Sequence, residues 1–270
     1  LFGRQLALRL AQKPGVMFCV LQKILCRHAI VRELRITRKD RIGVVGSNGA
    51  GKTTLFNLLT GFDKPDTGSW TFEGKDLAGI PAYKVARLGM VRTFQLTKAL
   101  SIMTVLDNMR LGAQAQVGEK FWFGFLKPLW AGREAAITER AHELLKRFKL
   151  DAKSDDFAAS LSGGQRKLLE MARALMSEPR LVMLDEPMAG VNPALKQSLN
   201  QHIRGLRDDG MTVLFVEHDM DMVHDISDWV IVMAEGRIIA EGTPDDISSN
   251  PAVIDAYLGS RQGQSLLEGE

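Results

Sequence analysis

The sequence predicts an α/β protein built on a mainly parallel sheet, with a largely helical insertion. Three observations point there. Arg41–Gly46, Leu181–Leu184 and Thr212–Val216 read as short apolar strands, the pattern of parallel strands covered on both faces. Apolar residues at helical spacing lie beside each of them. A glycine-rich loop joins the first run to the helix that follows it.

Taken in order, the first 41 residues stand apart by charge. They hold ten Lys and Arg against Glu33 and Asp40, a net +8, which leaves −5 for the rest of a chain whose total is +3. After the first strand, Lys52–Thr60 reads as a helix with Gly61 as its stop and Pro65 beyond. Trp70–Phe72 and the turn at Gly74 suggest a small hairpin. Met103–Leu111 is a helix candidate. Ala135–Phe148 is a better one, with Ala141, Leu144, Leu145 and Phe148 on one face. Between them, Phe121–Trp130 is the densest aromatic patch. It reads either as a packed hairpin or as an apolar surface for a membrane-embedded partner. Leu168, Ala172 and Leu175 mark a helix over Gln165–Met176 that ends before Pro179, and Leu199–Leu206 marks another. Trp229–Met233 and Arg237–Ala240, joined through Glu235-Gly236, look like a terminal hairpin.

Composition bounds the function classes. An apolar share of 45% and a charged share of 25% are globular averages, which excludes disordered, collagen-like and coiled-coil chains. The longest apolar stretch, Gly15–Cys26, is broken by Gln22 and Lys23, so no membrane-spanning segment is expected. No signal-peptide order is read at the start. Cys19 and Cys26 are too few for a disulfide framework, and a reducing, cytoplasmic setting is the default.

Gly46-Ser47-Asn48-Gly49-Ala50-Gly51-Lys52-Thr53-Thr54 matches the phosphate-binding pattern G-x-x-x-x-G-K-[ST], with a strand before and a helix after. The glycines let backbone N–H groups turn inward around phosphates, and the helix start adds partial positive charge. Lys52 would meet the terminal phosphates and Thr53 would offer a hydroxyl to Mg²⁺. Asp185 and Glu186 close a buried strand. Asp185 stands where a carboxylate would hold Mg²⁺, and Glu186, expected on the opposite side, could polarise an attacking water as general base. The plain alternative for each is a glycine turn with a chance lysine and an acidic strand end.

Leu161-Ser162-Gly163-Gly164-Gln165 opens a second helix at an anion-ready end, although the chain has only one phosphate loop. At this stretch the sequence resembles the ATP-binding-cassette family, whose signature is Leu-Ser-Gly-Gly-Gln followed by a basic residue, here Arg166. The resemblance runs from about Arg41 to Gly259. It implies a P-loop NTPase core (RecA-like) with a helical subdomain and a small β subdomain, Mg²⁺ and ATP as ligands, and ATP hydrolysis. It also implies that Gln95 contacts Mg²⁺ and the attacking water, that His218 contacts the γ-phosphate, and that Ser162, Gly163, Gly164 and Gln165 cap a nucleotide held by a second ATPase subunit, identical or paralogous. Gly190–Pro193 takes the position of the family's D-loop, with Asn192 where many members have aspartate.

Val91–Gln95, Thr60-Gly61-Phe62, Met188–Pro193 and the ending from Gly242 to Gly259 look like the ATPase subunits of branched-chain amino acid importers. That likeness implies two transmembrane permease subunits, an extracytoplasmic solute-binding protein acting indirectly, no nucleic acid, and a peripheral place on the cytoplasmic face of the inner membrane. Two rivals stay open: an export ATPase of the lipopolysaccharide-export type, and a soluble cassette ATPase acting on nucleic acid, which only the basic start favours. The expected division is a core of 41–95 with 166–245, a helical part over 96–165, and a tail over 246–270. Residues 1–40 do not match the family's pattern. Its adenine-stacking aromatic would fall near Lys23, yet no Phe, Tyr or Trp lies between Cys19 and Leu55.

Overall fold

In the computed structural model, residues 17–26, 29–93, 100–114 and 127–256 are described. The strands are β1 (Met17–Cys26), β2 (Ala29–Thr37), β3 (Arg41–Val45), β4 (Thr67–Phe72), β5 (Lys75–Asp76), β6 (Met90–Arg92), β7 (Leu181–Asp185), β8 (Thr212–Val216), β9 (Trp229–Ala234) and β10 (Arg237–Gly242). The helices are α1 (Lys52–Thr60), α2 (Ala82–Arg87), α3 (Val105–Arg110), α4 (Lys127–Arg147), α5 (Gly163–Leu175), α6 (Pro193–Asp208), α7 (Met220–Ile226) and α8 (Pro244–Ser248). The strands form one sheet in the order β5-β4-β1-β2-β10-β9-β3-β8-β7-β6.

The half from β9 to β6 is parallel throughout, and the other half is largely antiparallel. Continuous apolar runs become intelligible here, because the two-residue alternation splits each strand between two cores. Leu181 and Met183, Leu214 and Val216, and Ile231 and Met233 face α1. Val182 and Leu184, Val213 and Phe215, and Val230 and Val232 face the helices of the other layer.

Local chemistry accounts for the element ends. Gly61 closes α1 in the left-handed conformation at φ 74°. Glu73-Gly74 and Glu235-Gly236 both have positive φ at two consecutive residues, the geometry of tight hairpin turns. Thr104 caps α3, and Asn192 caps α6 by accepting from the Leu195 N–H. That role suits Asn as well as Asp, which explains how the sequence tolerates Asn192.

Several expectations need correction. Strands β1 and β2 lie inside 1–40 and join the sheet, with Leu21 opposite both Leu34 and Trp70. No alternation announces β1, since Gln22-Lys23 interrupts its apolar residues. Residues 127–130 of the aromatic patch begin α4 instead of closing a hairpin, with Pro128 in the first turn where its missing N–H costs nothing; residues 121–126 lie outside the described residues. A boundary at 165/166 would cut α5, which begins at Gly163 because Ser162 caps it.

Candidate functional site

Strand β8 runs between β3 and β7, so the loops leaving all three strands meet at one edge of the sheet. The first of them is the glycine loop. Ala50 N–H closes a turn onto the Ser47 carbonyl at 3.1 Å, and Gly236 N–H ties the Ala50 carbonyl to the β9–β10 hairpin at 3.0 Å. Gly51 precedes α1 at φ 94° and no side chain caps the helix, so its first N–H groups are free of side-chain acceptors. Two glycines are needed for distinct reasons. At Gly46 a Cβ would lie 2.2 Å from the Met233 carbonyl oxygen, whereas Gly49 has open space but φ +81°. Asn48 stands with Gly49 in the turn, and Thr54 follows in the first turn of α1.

Lys52 is buried inside this loop. Its Nζ donates to the carbonyls of Gly46 at 2.8 Å and Ser47 at 2.9 Å. Burial pushes its ammonium below the usual lysine range, opposed by the nearby charges of Glu186 and Asp185. Thr53 is exposed next to it. A loop of inward backbone, a buried cation, an exposed hydroxyl and two carboxylates is the donor set that suits a phosphate chain with Mg²⁺. Among the described residues, no three His, Cys, Asp or Glu gather into a metal cage. Mg²⁺ requires none, since it binds through one or two carboxylates plus substrate phosphates.

Asp185 ends β7 on the face shared with Leu181 and Met183, turned toward α1. It forms a buried ion pair with Arg92 of β6 at 2.7 Å. Arg92 also donates to Asn57 Oδ1 of α1 at 2.7 Å and lies over the Phe56 ring. Glu186 departs from the expected geometry. Strand alternation would send it to the face opposite Asp185, but it has left the strand with φ 48°. Both carboxylates therefore act on Lys52, although each has its own side-chain partner. Glu186 Oε1 meets His218 Nε2 at 2.8 Å, across 32 residues of sequence. His218 follows β8, and the placement of β8 between β3 and β7 brings it there.

Ser162 and Gln165 form a reciprocal capping box at the start of α5, through Gln165 N–H to Ser162 Oγ at 3.2 Å and Ser162 N–H to Gln165 Oε1 at 3.0 Å. Gly163 faces open space, while a Cβ at Gly164 would press on Leu195. Gln95 lies outside the described residues. For Phe18, near the position expected to hold adenine, only the strand backbone is described.

Sequence reasoning missed three residues. Arg92 lies within Val91–Gln95, and an arginine ending a strand is itself a signal. No motif surrounds Lys167 or Glu217. Glu217 is buried, and its carboxylate accepts from the N–H groups of Met188 at 2.8 Å and His218 at 3.3 Å.

Known proteins share this sequence and fold. The family model described as "ABC transporter" matches residues 32–189, beginning inside the segment the sequence reading had set apart. A second, "Branched-chain amino acid ATP-binding cassette transporter", matches residues 237–262. The chain is 43% identical to the probable branched-chain amino acid transport ATP-binding protein LivG of Archaeoglobus fulgidus, over 82% of this chain and 85% of that one. It is 40% identical to the high-affinity branched-chain amino acid transport ATP-binding protein BraF of Pseudomonas aeruginosa, over 84% and 89%. A nucleotide-free ATP-binding cassette from an ABC transporter superposes with a TM-score of 0.77 at 34% identity, covering 89% of this chain and 98% of that one. A cassette of an ABC transporter in its ADP conformation gives 0.74 at 34%, covering 90% and 99%. With sequence, fold and site in agreement, the chain belongs to the ABC transporter family, as an ATP-binding cassette.

Proposed function

We propose that the chain binds and hydrolyses ATP to power import of branched-chain amino acids, or a related amino acid or amide, through separate membrane subunits. The observation that carries the ATPase reading is the pairing of Glu186 with His218 at 2.8 Å beside the buried Lys52. The solute rests on the relatives' names and on the match over residues 237–262. Those names lend nothing to the export and nucleic-acid alternatives.

Backbone N–H groups of 46–51 and the start of α1 would hold the phosphates, with Lys52 turning from its two carbonyls to the terminal one. Thr53, Asp185 and Gln95 would hold Mg²⁺, which supplies charge neutralisation on the phosphate chain. Glu186 would accept a hydrogen bond from the attacking water and take its proton, while His218 fixes the orientation of that carboxylate and reaches toward the γ-phosphate. Ser162, Gly163, Gly164 and Gln165 would close on the nucleotide of a second cassette, the same chain or a paralogue. A γ-phosphate bridging both subunits stabilises only the closed pair, so hydrolysis reopens it.

No helix among the described residues is long and apolar enough to cross a membrane. The motion would therefore pass to two permease subunits, with the chain peripheral at the cytoplasmic face of the inner membrane and the solute-binding protein engaged only through them. A groove of about 380 Å³ lined by Arg87, Val91, Arg92, Gln114 and Arg173 suits such docking. Pull-down in mild detergent with mass spectrometry tests the assignment. Two multi-span subunits and a second cassette are expected, together with leucine-, isoleucine- or valine-stimulated turnover when the complex is supplied with its solute-binding protein. Recovery of nucleic acid or ribosomal proteins without a membrane partner would overturn the transport reading.

A further inference from the structure

The loop that bears Glu186 is bound to the signature helix by the side chain of Lys167. Lys167 lies in the second turn of α5, beyond the capping box at Ser162. Its Nζ donates to three carbonyls of the loop: Glu186 at 3.3 Å, Pro187 at 3.2 Å, and Ala189. The same loop is also held by Glu217, whose Oε1 accepts the Met188 N–H at 2.8 Å, and by Val216, whose carbonyl accepts the Glu186 N–H at 3.1 Å. Glu186 needs such restraint. A glutamate at φ 48° occupies a region that side-chain-bearing residues rarely adopt, and a strained residue persists only where its surroundings over-determine it.

The electrostatics agree with this reading. Lys167 is half-buried and faces Glu217, Glu170 and Glu186, whose charges oppose the loss its ammonium suffers on burial. Burial likewise raises Glu217 above the usual carboxylate range. A cavity of about 20 Å³, the size of one water molecule, lies among Lys167, Glu170, Asp185, Glu186 and Pro187. Groups this close to the reacting carboxylates act on their geometry.

We propose that Lys167, backed by Glu217, is a positioning residue for Glu186 that locks the 186–189 loop to the signature helix, so that displacement of that helix by the other subunit's nucleotide is felt at this subunit's own general base. The inference rests on the ATPase reading above. It adds a mechanical link from Ser162, which faces the neighbour's ligand, through one turn and a half of α5 to the base.

The test uses the full chain and compares Lys167→Met, Lys167→Arg and Glu186→Gln. Lys167→Met is expected to lower kcat about 10- to 100-fold, the weight of charged hydrogen bonds to carbonyls, while KM for ATP and the melting temperature stay near wild type. Lys167→Arg, which keeps charge and donors, should recover most of the loss. Amide exchange gives a readout independent of turnover: the Met188 and Ala189 N–H groups should exchange at least about tenfold faster in Lys167→Met, with residues 46–54 unchanged. Lys167→Gln repeats both measurements should Lys167→Met fail to fold. Unchanged kcat with unchanged exchange, or a loss of kcat matched by an equal loss of ATP affinity, would overturn the proposal. Glu186→Gln separates the two levels. If it turns over normally, the ATPase reading falls; if it is inactive while Lys167→Met is normal, only the positioning role falls.

Discussion

Lys52 is the residue on which nucleotide affinity should hang. Its ammonium is already desolvated and held by two loop carbonyls, so binding phosphate exchanges partners without a further burial cost. Lys52→Ala is expected to weaken ATP binding about 100-fold or more, the scale of truncating a buried charge contact, as read by fluorescent-nucleotide titration. Glu186→Gln removes a base and leaves the loop geometry, so nucleotide affinity should persist while kcat falls about 100- to 10,000-fold. A steady-state phosphate-release assay decides it. The residues reached by sequence logic were those with a motif around them. Arg92, Lys167 and Glu217 escaped because each matters through a partner 19 to 93 residues away, and sequence spacing carries no trace of such a contact.

Helix ends and helix contacts set what the elements can do. Ser162→Ala breaks the capping box of α5 and should cost about 1 kcal/mol, seen as a lower melting temperature. The contact between the end of α4 and α6 should respond to pH. His202 of α6 stacks on Phe148 with ring centroids 4.3 Å apart. Burial, with Arg147 and Lys149 nearby, holds its pKa below the ordinary 6.5. The native chain then binds fewer protons than the unfolded one, so this contribution is complete above pH 6.5 and is lost as pH falls through the lowered pKa. Melting scans from pH 8 to 5 should show a decline that His202→Gln flattens. Most elements were legible because apolar spacing and turn residues agree locally. Strand β1 was not, since its place depends on pairing with β2 and β4, which no periodicity in Met17–Cys26 announces.

For the molecule as a whole, the proposed head-to-tail arrangement has the phosphate loop and the signature helix each completed by a second cassette. Glu186→Gln with Mg²⁺ and ATP should therefore accumulate as a pair of cassettes on size exclusion, while the same variant without nucleotide elutes as wild type. Failure to pair at saturating nucleotide would count against the head-to-tail arrangement. The basic start, once it contributes strands to the sheet, gives less reason to expect nucleic acid. Low- and high-salt elution of the purified chain measures what remains of that expectation.

By itself the sequence determined the chemistry of the phosphate loop, the acidic strand end, the signature cap and the family they resemble. Each of these is a contiguous run whose backbone demands, such as positive φ at Gly49, a cap at Ser162 or an apolar β7, can be met or broken only locally. The tertiary structure alone decided that β8 lies between β3 and β7, and hence that His218 meets Glu186. It alone set Glu186 beyond the strand at φ 48°, and bound the loop behind it to the signature helix through Lys167. These are contacts between distant segments. Their geometry follows from strand order and packing, which arise only when the whole sheet assembles.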